Sequence, residues 1–400
     1  MPRKPVVDAA GVVRLVEEEY KFEVAASDVA ELPSYDDRAF ALRGRFSWGG
    51  ESRAILKVFN DEDSAADGFL EAQSEVMAYL AKRGVPTNSI VPSLGGSSVV
   101  RLELGGTPHA ARLQSYLPGK LWKSAAQTPA LYASLGGVVG RMSAALLEYD
   151  GPRPLGKTDW NLCHLPETYA RLESAREAAV PENKSSEWDG TGGGVAGQNG
   201  ARRDGMGRDK VRWDGTGRDG TGRDGTGRDG TELLLEEAMG QFCAAVGDGG
   251  ALRRCLIHGD VNEQNLLVNE AETEVVGVLD FGDCSESWLV CEPAVAVTYL
   301  MLLAFEQAGE GAGDEPIERC AHFLAAYEAE TPLRDAEVAV LRGLCLGRLV
   351  QSLMMGAISA AENPDNAEYT LTTARHGWRL LEALLRYPVQ NFARLTGQDL

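Results

Sequence analysis

The sequence is poor in the features that tie a chain to a membrane, a secretory route or a metal cluster. No run reaches the roughly 18 consecutive apolar residues needed to cross a bilayer. The closest, Pro293 to Phe305, makes about three helical turns and reads as a buried core helix. Cysteine pairing is absent too. The seven cysteines (163, 243, 255, 284, 291, 320, 345) are odd in number, widely spaced and without a C-x-x-C. That excludes a disulfide scaffold or zinc site and predicts reduced thiols in a cytoplasmic protein. Five scattered histidines add no metal signature. Met1-Pro2-Arg3-Lys4-Pro5 leads into Asp8 and Glu17 to Glu19 instead of an apolar segment, so neither a secretory signal nor a transit peptide is expected. Basic residues are outnumbered, 39 against 59 acidic, for a net charge of −20. Such a surface repels phosphate backbones and anionic lipid, so neither a nucleic-acid nor a membrane partner is expected; it suits a cationic small substrate.

What is present divides the chain. Residues 182–231 carry an R-D-G-T-G repeat and hold 15 of the 46 glycines. That density leaves too little apolar surface to offset chain entropy, so this insert reads as a disordered loop. Ahead of it, Arg38–Phe46 and Arg53–Phe59 form a hairpin around Trp48-Gly49-Gly50-Glu51. A helix follows over 68–82, then strands around 98–104 and 112–117. After Pro118-Gly119 helical patterns dominate: 128–149, 166–179, 232–246, 293–308, 315–329, 335–361 and 366–386, with a short β insertion at 255–281. The division is a β-rich lobe over 1–117 and a helical lobe over 118–400 that contains the insert.

The chemistry concentrates in that β insertion. His258-Gly259-Asp260 with Asn265 gives H-x-D-x-x-x-x-N, and Asp280-Phe281-Gly282 follows a turn at Asn269–Glu274. Four fixed residues in one register arise by chance in only about 0.25% of chains this long, and the second motif lowers that further. Phosphoryl transfer asks a protein mainly for positioning and charge neutralisation. Asp260 is the carboxylate to meet an attacking hydroxyl, and Asn265 and Asp280 are oxygen donors to hold Mg²⁺ against phosphates. Lys57, inside the apolar run Ala54-Ile55-Leu56-Lys57-Val58, needs a counter-charge if buried. Glu75 on the following helix is its expected partner, the pair then holding the α/β-phosphates of a nucleotide. No G-x-G-x-x-G precedes Lys57; Ser34, Tyr35 and Asp36 stand where a phosphate-covering loop would, which argues against a protein kinase. The predicted class is α+β, a bilobal protein-kinase-like fold.

On these residues the sequence resembles the aminoglycoside phosphotransferase/choline kinase-like superfamily, and within it the hydroxylysine kinases. The narrower likeness rests on Leu32 to Asp37, Arg112-Leu113 through Gly119, Trp160-Asn161-Leu162, Ile257 to Val268, Gly277 to Asp283, Arg348, Gln351 to Leu353, and Gly377-Trp378. The resemblance implies phosphorylation of the side-chain hydroxyl of 5-hydroxylysine, with GTP as donor and Mg²⁺ as cofactor. Nucleotide choice between GTP and ATP would then be made near Ser115, Tyr116 and Leu117. Asp283, Glu286 and Glu292 are the expected receivers of substrate ammonium groups, Arg348 of its carboxylate, with Trp160, Trp288 and Trp378 walling the pocket. Two other readings stay open: a kinase of another amino-alcohol (homoserine, choline or aminoglycoside type), and a catalytically silent binding protein that keeps the fold.

Overall fold

The computed structural model describes residues 3–34, 36–154, 159–179, 230–309, 313–362 and 374–398. The glycine-rich insert expected at 182–231 lies outside these residues except for its last two, which begin a helix. Asp8 opens α1 (Ala9–Tyr20) by accepting the Gly11 N–H, and Val12, Val16 and Tyr20 recur four apart on its buried face. Strand β1 (Phe22–Leu32) follows. Neither element belongs to the patterned segments above. β1 buries only Phe22 and Val24, and its register slips between Val24 and Val29, so alternation is not sustained along it.

The expected hairpin forms as β2 (Arg38–Phe46) and β3 (Glu51–Val58), with Ala39 opposite Lys57. Short α2 (Asp61–Ala65) and α3 (Phe69–Lys82) come next, then β4 (Ile90–Val91), β5 (Val100–Leu104) and β6 (Thr107–Ser115). Together the strands make a six-stranded antiparallel sheet in the order β1-β2-β3-β6-β4, with β5 also on β6. β6 starts at Thr107 rather than near 112, because Gly105 and Gly106, both at positive φ, turn the chain in two residues. Valines, Phe40, Leu56 and Leu113 fill the core between this sheet and α1. Helix α3 divides its contacts: Phe69 and Leu70 join a small cluster with Phe59 and Val99, whereas Val76, Met77 and Leu80 belong to the large helical core.

Residues 116–119 lead to β7 (Lys120–Leu121), then α4 (Pro129–Leu147), α5 (Leu165–Ala179) and α6 (Gly230–Val246). Four short strands follow: β8 (Arg254–Ile257), β9 (Leu266–Val268), β10 (Val275–Val278) and β11 (Ser285–Trp288). They pair as β10-β9-β7 and β11-β8. The rest is helical: α7 (Cys291–Ala308), α8 (Glu315–Glu318), α9 (Cys320–Glu330), α10 (Asp335–Glu362), α11 (Ala374–Arg386) and α12 (Val389–Arg394). The single helix expected over 315–329 is therefore two, parted at Arg319. α4 and α10 are long and apolar enough to span a membrane, but most of each is buried against other helices of the same lobe. The fold is the bilobal kinase-like arrangement expected from the sequence.

α4 and α9 pack closely because Gly136 and Gly140 bare the α4 backbone. A Cβ on Gly136 would lie 2.1 Å from the Phe323 carbonyl oxygen, whereas one on Gly137 would meet only the end of the Arg141 side chain at 3.3 Å. Gly136→Ala is expected to cost about 1–3 kcal/mol through overpacking. Gly137→Ala should be neutral or gain up to about 1 kcal/mol of helix propensity. Thermal melts of the two variants check this; equal melting temperatures would refute the close approach.

Candidate active site

The loop after β8 is built around a buried acid. Glu292, at the start of α7 and wholly inaccessible, accepts the backbone N–H groups of His258 and Gly259. Gly259 has φ +79° and faces the Asp283 carbonyl so closely that a Cβ would lie 3.0 Å from it. The His258 ring is fixed on both nitrogens. Nδ1 accepts the Asp260 N–H at 3.2 Å, so the neutral ring carries its proton on Nε2, which donates to Leu279 O at 2.9 Å. Phe281 stacks edge-on against it at 4.6 Å. These bonds aim Asp260 outward.

The Asp260 carboxylate is held at both ends. Oδ1 pairs with Arg348 Nη2 at 3.0 Å; Oδ2 accepts the side-chain amides of Asn262 at 2.9 Å and Asn265 at 2.7 Å. With its amide nitrogen committed to Asp260, Asn265 turns its carbonyl oxygen away as a donor for a cation. The Leu279 N–H donates to Asn265 O at 2.8 Å, bringing Asp280 beside it. Asp280 sits in the left-handed region, φ +56°, a conformation aspartate tolerates better than most residues. Desolvation by the surrounding protein would raise its pKa, but the Lys57 ammonium at 2.8 Å and the Gly282 N–H at 3.1 Å hold it below the usual carboxylate range. The donor set of one amide oxygen and one carboxylate is hard and oxygen-only, which fits Mg²⁺ completed by phosphate oxygens and water.

Lys57 lies on β3 with 12% of its side chain exposed. Burial alone would depress its pKa; the carboxylates of Asp280 and Asp37 outweigh that and raise it. The second partner corrects the expectation from sequence. Glu75 is exposed on α3, and the counter-ions of Lys57 are Asp280 and, at 3.0 Å, Asp37. The α3 residue that reaches the site is Gln73, whose Nε2 donates to Gly282 O at 3.3 Å. Two residues along a helix turn a side chain by about 200°, so Glu75 points elsewhere. Ser34 and Asp36 lie in the β1–β2 connection as expected, while Tyr35 falls outside the described residues. Asp36 is pushed up to about 6 by burial and by Asp37 and Asp63. At the end of β6, Ser115 has its N–H on Ser89 O and its carbonyl on the Asn88 amide, and the N–H of Tyr116 donates to Arg53 O at 3.4 Å. Tyr116 is covered by Arg53 at 3.5 Å.

The expected substrate residues do not stay together. Arg348, 1% exposed, spends Nε on the Tyr299 hydroxyl, Nη1 on Trp160 O and Gln351 Oε1, and Nη2 on Asp260. It is a brace for Asp260, not a free receiver of a carboxylate. Burial alone would lower its pKa, but Tyr299, Asp260 and Asp283 together raise it. Glu292 is the loop brace described above, and Glu286 is spent on Arg153 at 2.7 Å and Arg254 at 3.6 Å. Asp283 remains near Arg348, and the Trp160 ring lies 4.7 Å under its guanidinium. Trp288 packs on Gly249, and Trp378 is buried in α11; both are core residues. Sequence reasoning passed over the roles of Asp37, Asn262, Tyr299 and Gln351. Asp37 directly follows Asp36, and Gln351 follows Arg348 by one helical turn.

A carboxylate aimed by three donors, two candidate oxygen ligands brought together by the β9–β10 hairpin and a held ammonium are the parts that phosphoryl transfer asks of a protein. Comparison with known proteins agrees. Residues 31–333 match the phosphotransferase enzyme family. Hydroxylysine kinase of Mus musculus is 27% identical over 402 aligned positions, covering 95% of this chain and 90% of its own. Two solved structures share the fold, each with a TM-score of 0.62. The amicoumacin kinase in complex with AMP-PNP, Ca²⁺ and Ami is 14% identical, with 96% and 97% of the two chains covered. The microcompartment-associated aminopropanol kinase is 16% identical, with 95% and 99% covered. With three quarters of its length matched, the chain belongs to the phosphotransferase enzyme family and is an enzyme that phosphorylates a hydroxyl acceptor.

Proposed function

We propose that this enzyme transfers the γ-phosphoryl group of GTP to the side-chain hydroxyl of 5-hydroxylysine, with Mg²⁺, in the cytoplasm. The observation that carries the choice of acceptor is the likeness to hydroxylysine kinase along nearly the whole of both chains. The net charge of −20 suits an amino acid with two ammonium groups. The seven free thiols favour a reducing compartment.

In this reading Asp260 accepts a hydrogen bond from the substrate hydroxyl and takes its proton as the new P–O bond forms and the bond from the γ-phosphorus to the bridging oxygen breaks, releasing GDP. Arg348, Asn262 and Asn265 keep the carboxylate in place, so little reorganisation is needed as that bond forms. Lys57 lies against the nucleotide phosphates and offsets their charge. When bound, Mg²⁺ would draw charge from the transferring phosphoryl group, with Asn265 and Asp280 as its protein ligands.

The test is a phosphate-transfer panel pairing GTP or ATP plus Mg²⁺ with 5-hydroxylysine, lysine, homoserine, choline and kanamycin. Turnover is expected only with 5-hydroxylysine, at a higher kcat/KM with GTP. Turnover of another acceptor would keep the chemistry and replace the substrate. No turnover and no nucleotide binding would favour a silent binding protein.

A further inference from the structure

Lys57 and Arg112 sit opposite each other on β3 and β6, so their side chains share the sheet face toward α3. Arg112 is 1% exposed and fills the gap there: its Nη1 donates to Leu70 O at 3.3 Å and Ser74 Oγ at 3.1 Å, both on α3, and its guanidinium lies 4.9 Å from the Phe59 ring centre. The helix thus gives neutral acceptors to an arginine where it was expected to give an acid to the lysine. Negative charge reaches this face from the other side. Asp37, 8% exposed, has Oδ1 fixed by the Asn60 backbone N–H at 2.8 Å and side-chain amide at 2.9 Å, which points Oδ2 at Lys57. Asn60 is itself held, capping α2 through the Asp63 N–H at 2.9 Å. Asp280 is the other partner of Lys57, but it is also a candidate metal ligand, so its hold is shared. That of Asp37 is not.

We propose that Asp37 is the residue that positions Lys57, acting from the β1–β2 connection in place of the helix acid Glu75. This rests on the phosphotransferase reading, in which Lys57 meets the nucleotide. Two cations and two carboxylates then balance across one face, and removing Asp37 leaves the ammonium mobile but the phosphates still attracted. The loss therefore appears in turnover more than in nucleotide affinity.

The experiment compares Asp37→Asn and Glu75→Gln with the parent enzyme. In nucleotide-free protein, acetylation of Lys57 by an N-hydroxysuccinimide ester is followed by peptide mass spectrometry. Asp37→Asn should label about tenfold faster, the scale of losing one charge-assisted hydrogen bond that holds the ammonium in place; Glu75→Gln should match the parent. Cys320 and Cys345, both wholly buried, should stay closed to maleimide in every sample. In turnover assays Asp37→Asn should lose about 100-fold in kcat, with nucleotide KM nearly unchanged, the scale of a misplacement of about 1 Å. Faster labelling in Glu75→Gln but not in Asp37→Asn would overturn the proposal. So would faster labelling accompanied by exposure of Cys320 and Cys345, which marks a structural role only. If the parent transfers no phosphate at all, the functional reading fails, and the labelling comparison still decides the ion pair.

Discussion

Asp260→Asn should lower kcat by about 10²–10⁴-fold, the range that a positioned general base contributes. The side chain keeps its size but loses its capacity to take a proton. One of its ends also changes from acceptor to donor, facing either Arg348 or the amides of Asn262 and Asn265. A lower melting temperature is therefore expected alongside the loss of turnover, because a buried donor meets a donor. Single-turnover measurements with nucleotide bound separate the two effects. A variant that remains folded and keeps a tenth of parental kcat would remove Asp260 from the chemistry.

Arg348 should carry the second largest effect, and its form decides between two roles. Arg348→Met strips four acceptors of a buried donor and leaves Asp260 beside an apolar side chain; breaking a buried pair in this way costs about 3–5 kcal/mol. Arg348→Lys keeps the charge but replaces a planar fork with a single ammonium, so Asp260, Tyr299, Trp160 O and Gln351 can no longer all be held. The lysine variant should lose about 100-fold in kcat through misplacement of the base. If hydroxylysine is the acceptor, as proposed, that loss should be equal for it and for its analogue lacking the carboxylate. Were Arg348 the receiver of the substrate carboxylate, the variant would instead bind hydroxylysine more weakly, with a higher KM, and spare the analogue.

The parts of the site legible in the sequence are those where chemistry fixes residue type and spacing within a short stretch. His258, Asp260 and Asn265 fall within eight residues, and Asp280 returns beside them because a hairpin joins them. The partner of Lys57 is set across the fold, and there the sequence misleads. Glu75 is the nearer acid along a helix, but which side chain faces the sheet is decided by the bulk of Arg112 and by Gln73, two positions back. Glu292 has the same character. An acid at the head of an apolar helix reads as a ligand for substrate, and only the folded loop shows that two backbone N–H groups consume it. At the level of the fold, long apolar helices such as α4, α7 and α10 stand out and the irregular β1 does not, whereas α1 is passed over although its Asp8 cap and its Val12, Val16 and Tyr20 stripe are there to be read.

Helix α3 belongs by sequence to the lobe of the sheet, but its second half is packed elsewhere. Val76, Met77 and Leu80 lie in the helical core, the Tyr79 hydroxyl donates to Ala145 O at 3.1 Å, and Val278 N–H donates to Pro86 O at 2.7 Å just beyond the helix. The helix therefore ties the two lobes together: its first turn packs with Phe59 and Val99 beside the sheet, and its second half is anchored in the helical core. A separation of the lobes would strain α3 between these two anchorages and draw Lys57, on the sheet, away from Asp280, on the larger lobe. Separation of the lobes and loss of that ion pair would then be one event.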